Sequence, residues 1–192
     1  MLFIFLLSTL LLVIATTIST DTTTVPSSSS PISNSTLSAV KGGGGCPANL
    51  LAQHNAHRAK HGAPPFPALD ATISAVAQAW AEKQAANGSH NHSNNPKYGE
   101  NLWAEKGGTL DPAVDSWYAE VAHYHSYGAE PDMSQIGQWG HFTALVWKGT
   151  AKFGCGCADY KKGADMDKII FCNYEPPGNV RGHFKENVFP PK

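Results

Sequence analysis

The segment KFGCGCADYKKGADMDKIIFCNY, residues 152–174, contains the pattern that decides the fold class. Residues 152–160 and residues 168–174 flank a polar, glycine-containing connection. The side chains of residues 169–171 are isoleucine, isoleucine and phenylalanine, which favour strands. The segment is therefore predicted to form a β-hairpin.

Three cysteines lie within the predicted hairpin. Residues two apart on a strand point to the same side, so Cys155 and Cys157 are expected to share one face of the sheet. Cys172, on the partner strand, can form a disulfide bond with only one of them. With Cys46 the chain has four cysteines, an even number that suggests two disulfide bonds, whose pairing the sequence leaves open.

Three helices are predicted upstream of the hairpin, over residues 47–61, over residues 70–87 and from Asp111 onward. The second is the most strongly indicated, because Asp70 is a suitable N-cap and the apolar residues after it recur at helical spacing. In the third, Asp111 is the expected cap and Pro112 the first helical residue. Helices followed by strands favour an α+β fold. We expect a three-layer α/β/α sandwich, with helices on both faces of a small, largely antiparallel sheet.

Two segments before the folded part have the composition of an export leader. Residues 1–20 are predicted to be a signal peptide, because their apolar core is too short to span a membrane. Residues 21–45 are rich in serine, threonine and finally glycine, and are predicted to form a disordered linker. The folded domain is therefore expected to cover residues 46–192.

The charge balance excludes two classes of function. In the 192 residues, 14 Lys and Arg oppose 15 Asp and Glu, so the formal net charge is -1. A chain this neutral lacks the basic patch of a nucleic-acid-binding protein or of a polybasic membrane-binding protein. Beyond the N-terminus no apolar run is long enough to span a membrane, so no transmembrane segment is expected. These features together predict a secreted, extracellular protein.

Motifs of several common enzyme classes are missing from the chain. It has no H-E-x-x-H zinc-protease motif, no G-x-S-x-G nucleophile elbow and no P-loop. Its cysteines lack the paired C-x-x-C spacing of structural zinc sites. What remains is a set of histidines and glutamates on separate segments, and spacing alone does not say which of them meet. They are His90, His92, Glu100, Glu120, His123, His125 and His141.

Four motifs resemble those of the CAP superfamily, which includes cysteine-rich secretory proteins, venom antigens and plant pathogenesis-related proteins of group one. The motifs are GHFTALVWK at residues 140–148, FCNYEPPGN at 171–179, YGENL at 98–102, and His54-Asn55 with Arg58. The resemblance extends from Leu50 to about Asn187 and is greatest to secreted fungal members. It identifies residues 46–192 as similar to a CAP (SCP-like) domain.

The resemblance implies a shared cavity lined by two histidines and two glutamates, to which zinc or magnesium has been linked in the family. Matched by motif, these residues are His92, Glu100, Glu120 and His141. His90 is the rival of His92, because Lys97 looks like an insertion before the Gly-Glu-Asn motif. Ala144 stands where the family commonly has glutamine, so a hydrogen bond of the family is expected to be lost there.

Two imidazoles and two carboxylates in one cleft are compatible with three roles. The first is a site for a divalent metal ion, because these groups are its usual nitrogen and oxygen ligands. The second is a buried network of His–Glu hydrogen bonds that stabilises the sandwich. The third is acid–base catalysis by a glutamate. The sequence names no nucleophile or oxyanion-stabilising group for the third role, so no catalytic residue is assigned.

Aromatic side chains are concentrated before His141. Trp117 is expected in the core, whereas Tyr124 and Tyr127 lie beyond the clear helical periodicity and are expected on a loop. Exposed aromatic residues at the rim of a groove can bind an apolar ligand. Family members that this chain resembles bind sterols or fatty acids, so Tyr118, Tyr124 and Tyr127 are the candidate lipid-binding residues.

The leading hypothesis is a secreted, non-enzymatic CAP-domain protein that binds a small apolar lipid, either a sterol or a fatty acid. One alternative is a metal-dependent hydrolase or protease that uses the same four side chains. Another is an effector or defence protein that acts by binding a host protein, a cell-surface protein or a membrane. The sequence identifies neither the lipid nor such a partner.

Overall fold

The structure, a computed structural model, describes residues 45–161 and 163–192. The signal peptide predicted over residues 1–20 lies outside the described residues, and so does the linker predicted over residues 21–45, apart from Gly45. No helix in the described part of the chain is both long and apolar enough to cross a membrane.

Four α-helices and three β-strands make up the described part of the chain. Helices α1 to α4 are Leu50–Lys60, Ala71–Ala86, Ala113–Ala119 and Ile136–Val146, and strands β1 to β3 are Gly99–Glu105, Lys152–Asp159 and Lys168–Glu175. Short 3₁₀ helices at Glu120–His123 and Met133–Gln135 lie between α3 and α4. Because the helices and the antiparallel sheet form separate layers, this is the predicted α+β fold.

The sheet is antiparallel, with the strand order β1-β3-β2. The predicted hairpin is confirmed: β2 pairs with β3, and Cys155 lies opposite Cys172. The sequence pattern does not indicate β1, which pairs with the other edge of β3 and places Asn101 opposite Cys172. Glu100, the second residue of this edge strand, therefore stands at the border of the sheet.

Helix α2 forms one outer layer and lies very close to β2. Gly154 and Gly156 of that strand allow the approach, because a Cβ atom at either position would collide with the backbone of α2. At the start of the helix, the Asp70 carboxylate accepts hydrogen bonds from the N–H groups of Thr72 (2.9 Å) and Ile73 (3.0 Å). The predicted N-cap is thereby confirmed, and it fixes α2 over the glycines.

Helices α1, α3 and α4 cover the opposite face of the sheet. The core of this layer includes Trp117, Phe142 and Phe153, all fully buried. Arg58 of α1 is also buried there. Its guanidinium group donates hydrogen bonds to four backbone carbonyl oxygens, those of Pro64, Leu145, Trp147 and Thr150. The expected three-layer sandwich is confirmed, with the sheet between α2 and the other three helices.

Two disulfide bonds join all four cysteines. One, between Cys155 and Cys172, links the two strands of the hairpin. The other, between Cys46 and Cys157, ties the segment before α1 to β2. The alternative that the sequence leaves open is thus decided, because Cys172 bonds to Cys155 and not to Cys157. Paired cysteines are typical of proteins that fold in an oxidising compartment.

Two helix starts differ from the predictions. Helix α1 begins at Leu50, after a short turn, and not at Pro47. Helix α3 begins at Ala113 with Pro112 in the N-cap position, and no side chain caps it, so Asp111 does not have the expected role. Both predictions rested on a proline, whose fixed φ suits a turn as well as the first turn of a helix.

Candidate functional site

Two His–Glu pairs come from distant parts of the chain. The Nδ1 atom of His92 lies 2.8 Å from Oε1 of Glu100, and the Nδ1 atom of His141 lies 2.6 Å from Oε1 of Glu120. Because an ionised carboxylate can only accept hydrogen bonds, each imidazole donates from Nδ1. In the neutral imidazole, the Nε2 atom then carries the lone pair.

The first pair stands at the edge of the sheet. Besides His92, the Oε1 atom of Glu100 accepts a hydrogen bond from the backbone N–H of Ser93 (2.9 Å). The loop that carries His92 and Ser93 is held to α2, because the backbone N–H of Asn91 donates to Oε1 of Gln84 (2.8 Å). The Glu100 side chain is only 8% exposed, whereas that of His92 is half exposed. The carboxylate is thus fixed, and the imidazole keeps one edge open.

The second pair joins the end of α3 to the middle of α4. Glu120 directly follows α3, and its Oε2 atom accepts hydrogen bonds from the backbone N–H groups of His141 (2.9 Å) and Phe142 (3.2 Å). Its two oxygens therefore bind the same short stretch of α4, one through a side chain and the other through the backbone. The imidazole of His141 is partly exposed, so it too keeps one edge open.

Both pairs border one cleft of about 260 Å³. It is lined by His92, Glu100, Asn101, Ile136, Gly137, Gly140, His141 and Asn179. Glu120 is not part of this lining and is connected to the cleft through its hydrogen bond to His141. The structure therefore brings the four side chains named from the sequence to one place, while their role as ligands stays a prediction.

A buried hydrogen-bond network behind the cleft positions the backbone of His141. Asn101 donates from Nδ2 to the carbonyl oxygen of His141 (3.0 Å) and to the hydroxyl of Tyr174 (3.3 Å). That hydroxyl donates to Nε2 of His54 (3.0 Å), whose Nδ1 donates to the carbonyl oxygen of Leu50 (2.8 Å). Burial lowers the pKa of His54 to about 3, so this imidazole is neutral near pH 7. His54 is therefore a structural residue.

The cleft contains nitrogen and oxygen atoms without hydrogen-bond partners among the described residues, and atoms of these kinds are the usual ligands of a divalent cation. Within the ranges described, neither Nε2 of His92 nor Nε2 of His141 has a hydrogen-bond partner, and the buried Oε2 atom of Glu100 has none either. A histidine whose other ring nitrogen donates to a carboxylate is a common metal ligand, because the carboxylate orients the ring. His92 and His141 are the residues that would hold the ion, each oriented by its glutamate.

The cleft is not a closed metal cage. Among the described residues, three possible ligand atoms come within 4.8 Å of one another only at His54, Cys155 and Cys172. The two sulfur atoms there are joined in a disulfide bond and are not thiolates, so this group does not bind zinc in the oxidised protein. A cation in the cleft would need water or an added ligand to complete its coordination, as in open metal sites.

The remaining histidine candidates lie outside the cleft. His90 is exposed and is not part of the lining, whereas His92 contacts Glu100 directly. His123 and His125 border a separate hollow of about 140 Å³, which Tyr124 also lines. Position in the fold thus favours His92 over His90 as the residue of the cleft.

The candidate tyrosines are packed more tightly than expected. Tyr124 is 1% exposed, so the expectation of an exposed loop side chain is wrong for this residue. Its ring packs edge-on against Trp139 (centroids 5.5 Å apart) and Tyr127 (5.1 Å). Tyr118 and Tyr127 are half-buried, and Tyr118 stacks on His57 at 3.9 Å. The 3₁₀ turn after α3 brings Tyr124 into the core, which helical periodicity does not reveal.

Sequence reasoning misses the α4 side of the cleft. Ile136, Gly137 and Gly140 lie on α4, and Asn179 borders them. The Asn179 backbone has a φ of 57°, and its side chain accepts a hydrogen bond from the Thr143 hydroxyl (2.6 Å) and donates to the Gly140 carbonyl oxygen (2.8 Å). Gly140 and Asn179 belong to two of the recognised motifs, but a motif does not say which of its residues face a cleft.

Comparisons with known proteins identify the family that this chain resembles. The sequence model of CAP, the cysteine-rich secretory protein family, matches residues 51–174. Protein PRY2 of Saccharomyces cerevisiae is 37% identical over 142 residues, which are 74% of this chain and 40% of the yeast protein. The Golgi-associated plant pathogenesis-related protein 1 of Homo sapiens is 38% identical over 149 residues, 74% of this chain and 92% of the human protein. The crystal structure of NaASP2 with Zn²⁺ superimposes with a TM-score of 0.56 at 20% identity, covering 74% and 83% of the two chains.

The likeness to these relatives supports the fold of this chain more firmly than it supports any function. The chain spans about 40% of the length of PRY2, so the activity of that whole protein does not transfer to it directly. At 20% identity, the likeness to NaASP2 supports the fold alone, and the zinc is a feature of that crystal structure. The name of the human relative associates that protein with the Golgi.

Proposed function

The chain belongs to the cysteine-rich secretory protein family, CAP, and from this membership we propose that it is an exported protein that binds a small apolar lipid, a sterol or a fatty acid. The cleft with the two His–Glu pairs is proposed to hold a divalent metal ion, zinc or magnesium. Two disulfide bonds support export, because such bonds persist in oxidising compartments. The protein is proposed to act by binding and not as an enzyme.

The observation that carries the proposal is the mixed character of the cleft. Its lining combines the imidazoles of His92 and His141 with the apolar side chain of Ile136 and two glycines. Small-molecule sites are typically concave and mostly apolar, with a few polar groups that fix the orientation of the ligand. A lipid with one polar end matches both kinds of lining group.

The size of the cleft limits how much of a lipid it can hold. Its volume of about 260 Å³ is slightly below the roughly 300 Å³ at which enclosed sites for drug-sized ligands begin. We therefore expect the polar end of the lipid to enter the cleft and the apolar body to lie on the protein surface beside it. A divalent cation held by His92 and His141 would supply positive charge to an acidic polar end.

The tyrosine segment is a second proposed contact for the lipid. Tyr118 and Tyr127 are half-buried there, and the buried hydroxyl of Tyr124 has no hydrogen-bond partner among the described residues. Burial raises the pKa of Tyr124 to about 12, so its hydroxyl is a neutral donor near pH 7. Because the adjoining hollow measures only about 140 Å³, a lipid would enter it only after the segment moved.

The arrangement gives no support to a hydrolase that uses a serine or threonine nucleophile. The hydroxyl of Thr143, two residues from His141, is buried and donates to Oδ1 of Asn179 (2.6 Å). The hydroxyl oxygen of Ser93, next to His92, accepts a hydrogen bond from the backbone N–H of Asn95 (3.3 Å). Neither is hydrogen-bonded to an imidazole, the contact that activates a serine or threonine nucleophile.

Lipid binding is tested by titrating the mature secreted protein with labelled cholesterol and labelled palmitate, each in EDTA, in zinc and in magnesium. Saturable binding of at least one lipid is expected, with affinity reduced in His141→Ala. The matched control is His183→Ala, because His183 forms the same kind of pair with Glu186 (2.7 Å) on an exposed surface and is not part of the cleft lining. No saturable binding of either lipid under any of the three conditions would contradict the proposal.

A further inference from the structure

The loop between α2 and β1 contains two short sequence patterns that the proposed function does not use. Residues 87–89 are Asn-Gly-Ser, and residues 91–93 are Asn-His-Ser. An asparagine followed two positions later by serine or threonine, with no proline between them, is the acceptor pattern for N-linked glycosylation of exported proteins. A third such pattern begins at Asn34 and lies outside the described residues. The patterns in the loop make Asn87 and Asn91 candidate acceptors.

Position in the structure decides whether such a pattern can carry a glycan, because the pattern is short and often occurs by chance. A glycan is bulky and hydrated, so its asparagine must stand at the surface of the folded protein. Asn87 and Asn91 are both exposed. Between them, a Cβ atom at Gly88 would have no neighbour within 4 Å, so the space beside the end of α2 is open. Both asparagines therefore have room for a glycan.

The side-chain amides of these two asparagines are not used by the fold. Within the part of the chain that the structure describes, neither amide has a hydrogen-bond partner. Asn55 shows the contrast, because its amide accepts from the backbone N–H of Phe66 (2.8 Å) and donates to the carbonyl oxygen of the same residue (2.9 Å). A sugar on Nδ2 would disrupt a contact of that kind, whereas at Asn87 and Asn91 it disrupts none.

The backbone of both asparagines is held against α2. The N–H of Asn87, the C-cap residue of α2, donates to the carbonyl oxygen of Lys83 (3.2 Å). The N–H of Asn91 donates to Oε1 of Gln84 (2.8 Å), and its carbonyl oxygen accepts from the indole N–H of Trp80 (3.0 Å). Because the backbone makes these contacts and the side chains do not, a glycan can be attached without displacing the loop.

Asn91 lies beside the cleft. It directly precedes His92, which lines the cleft, and the backbone N–H of Ser93 donates to Oε1 of Glu100 (2.9 Å). A glycan on Asn91 would therefore be attached one residue away from the cleft lining. Its bulk would hinder a protein partner at this loop more than it would hinder a small ligand.

We propose that Asn87 and Asn91 carry N-linked glycans that are attached during export. In the transfer, the bond between the anomeric carbon of the oligosaccharide and the pyrophosphate of a lipid-linked donor breaks, and that carbon forms a bond to Nδ2 of the asparagine. The amide gives up one proton, the lipid pyrophosphate leaves, and nothing is oxidised or reduced. This inference rests on the proposed export and does not depend on the binding of a lipid or a metal ion.

Peptide mapping of the full chain, secreted by a mammalian cell line, tests both positions. After denaturation and reduction, trypsin cleaves after Lys83 and Lys97, so residues 84–97 form one peptide that contains both asparagines. Peptide N-glycosidase in H₂¹⁸O converts each glycosylated asparagine to ¹⁸O-labelled aspartate, and fragmentation of the peptide locates the label. We expect the label at Asn87 and Asn91. A digest without the glycosidase measures spontaneous deamidation, to which an asparagine before glycine is prone.

Single substitutions count the glycans independently. Asn87→Gln and Asn91→Gln are each expected to lower the mass of the secreted protein by one glycan. Asn94→Gln is the matched control, because Asn94 is exposed in the same loop but has Pro96 two positions later, and it should remove no glycan. If a variant is not secreted, the peptide map of the unaltered protein decides.

The outcomes separate this inference from the proposed function. A secreted protein in which both asparagines of residues 84–97 are unmodified would overturn the inference and leave the proposed export in place. Label at one asparagine alone would overturn the assignment of the other. Retention of the full chain inside the cell would contradict the proposed export, and the inference with it.

Discussion

The histidines of helix α1 and the histidines of the cleft differ in the use of their second ring nitrogen. His54 on α1 and His61, the C-cap residue of α1, have both ring nitrogens hydrogen-bonded to protein atoms. His57 does as well, with Asp115 at Nε2 (2.7 Å) and Lys60 at Nδ1 (3.4 Å). The cleft histidines have a partner at Nδ1 only. A satisfied ring is part of the scaffold, whereas a half-satisfied ring is available to a ligand.

Burial gives the α1 histidines a second property that the scaffold depends on. Desolvation lowers the pKa of His54 to about 3, and it also lowers the pKa values of His57 and His61. These imidazoles therefore stay neutral in the folded protein at pH values where they would take up a proton in the unfolded chain. The α1 set should control stability, and the cleft set should control ligand binding.

The largest effect expected from a single substitution is on stability, for a substitution in the α1 set. His54→Phe keeps an aromatic ring in the core but removes the acceptor of the Tyr174 hydroxyl proton and the side-chain donor to the Leu50 carbonyl. We expect the free energy of unfolding to fall by about 1–3 kcal/mol, because a buried polar group that loses its partner costs about 1–3 kcal/mol, while the Leu50 carbonyl keeps its helical hydrogen bond. Urea unfolding at pH 7 measures this. A loss below about 1 kcal/mol would mean that the His54 network is not structural.

The pH dependence of stability follows from the same residue. The pKa of His54 is near 6.5 in the unfolded chain and about 3 in the folded protein, so the unfolded chain binds the extra proton between these values. Stability is therefore complete above about pH 6.5 and declines as the pH falls toward 3, by about 1.4 kcal/mol per pH unit. At pH 5 the loss from His54 is about 2 kcal/mol. Urea unfolding from pH 7 to pH 5 should show at least this slope, and His54→Phe should reduce it while the contributions of His57 and His61 remain.

Substitutions of the cleft histidines should change metal binding and not stability. His141→Ala removes one of the two free Nε2 atoms, and zinc affinity measured by isothermal titration calorimetry is expected to fall at least about tenfold. Because His141 is partly exposed, the free energy of unfolding should change by less than about 1 kcal/mol. His183→Ala, the matched exposed pair, should leave zinc affinity unchanged. Equal losses in the two variants would show that zinc binds histidines on the surface generally.

The smallest expected effect distinguishes two neighbouring histidines. His92→Ala is expected to weaken zinc binding by about three- to tenfold, less than His141→Ala, because the half-exposed ring of His92 is held less firmly. His90→Ala should have no effect, since His90 is not part of the cleft lining. The same calorimetric titration measures both. If His90→Ala gave the larger loss, the loop would present the other histidine to the metal.

Local signals account for the parts of the fold that the sequence predicts. The hairpin follows from strand-forming residues around a polar connection, and the start of α2 follows from the Asp70 cap. Strand β1 is missed because it is held by pairing with β3, whose residues lie about 70 positions away in sequence. Helix α4 is missed because Gln135 is not one of the residues that usually cap a helix and because two glycines lie within the helix.

The site shows a sharper limit of sequence reasoning. The four His and Glu positions come from motif resemblance, since spacing does not indicate that segments as distant as His92 and His141 share a cleft. Tyr124 is misplaced because its burial depends on contacts with Trp139 and Phe142 across the chain. The free Nε2 atoms, on which the proposed chemistry depends, become visible only when the hydrogen bonds are known.

The state of the imidazole nitrogens is the most direct test of the proposed site. Long-range ¹H–¹⁵N correlation NMR reports which ring nitrogen carries the proton in each histidine. The expected spectrum at neutral pH shows His92 and His141 protonated at Nδ1, with Nε2 signals that shift on addition of zinc while those of His54 and His61 stay in place. Protonation at Nε2 in either cleft histidine, or zinc shifts confined to other histidines, would contradict the assignment of this cleft as the binding site.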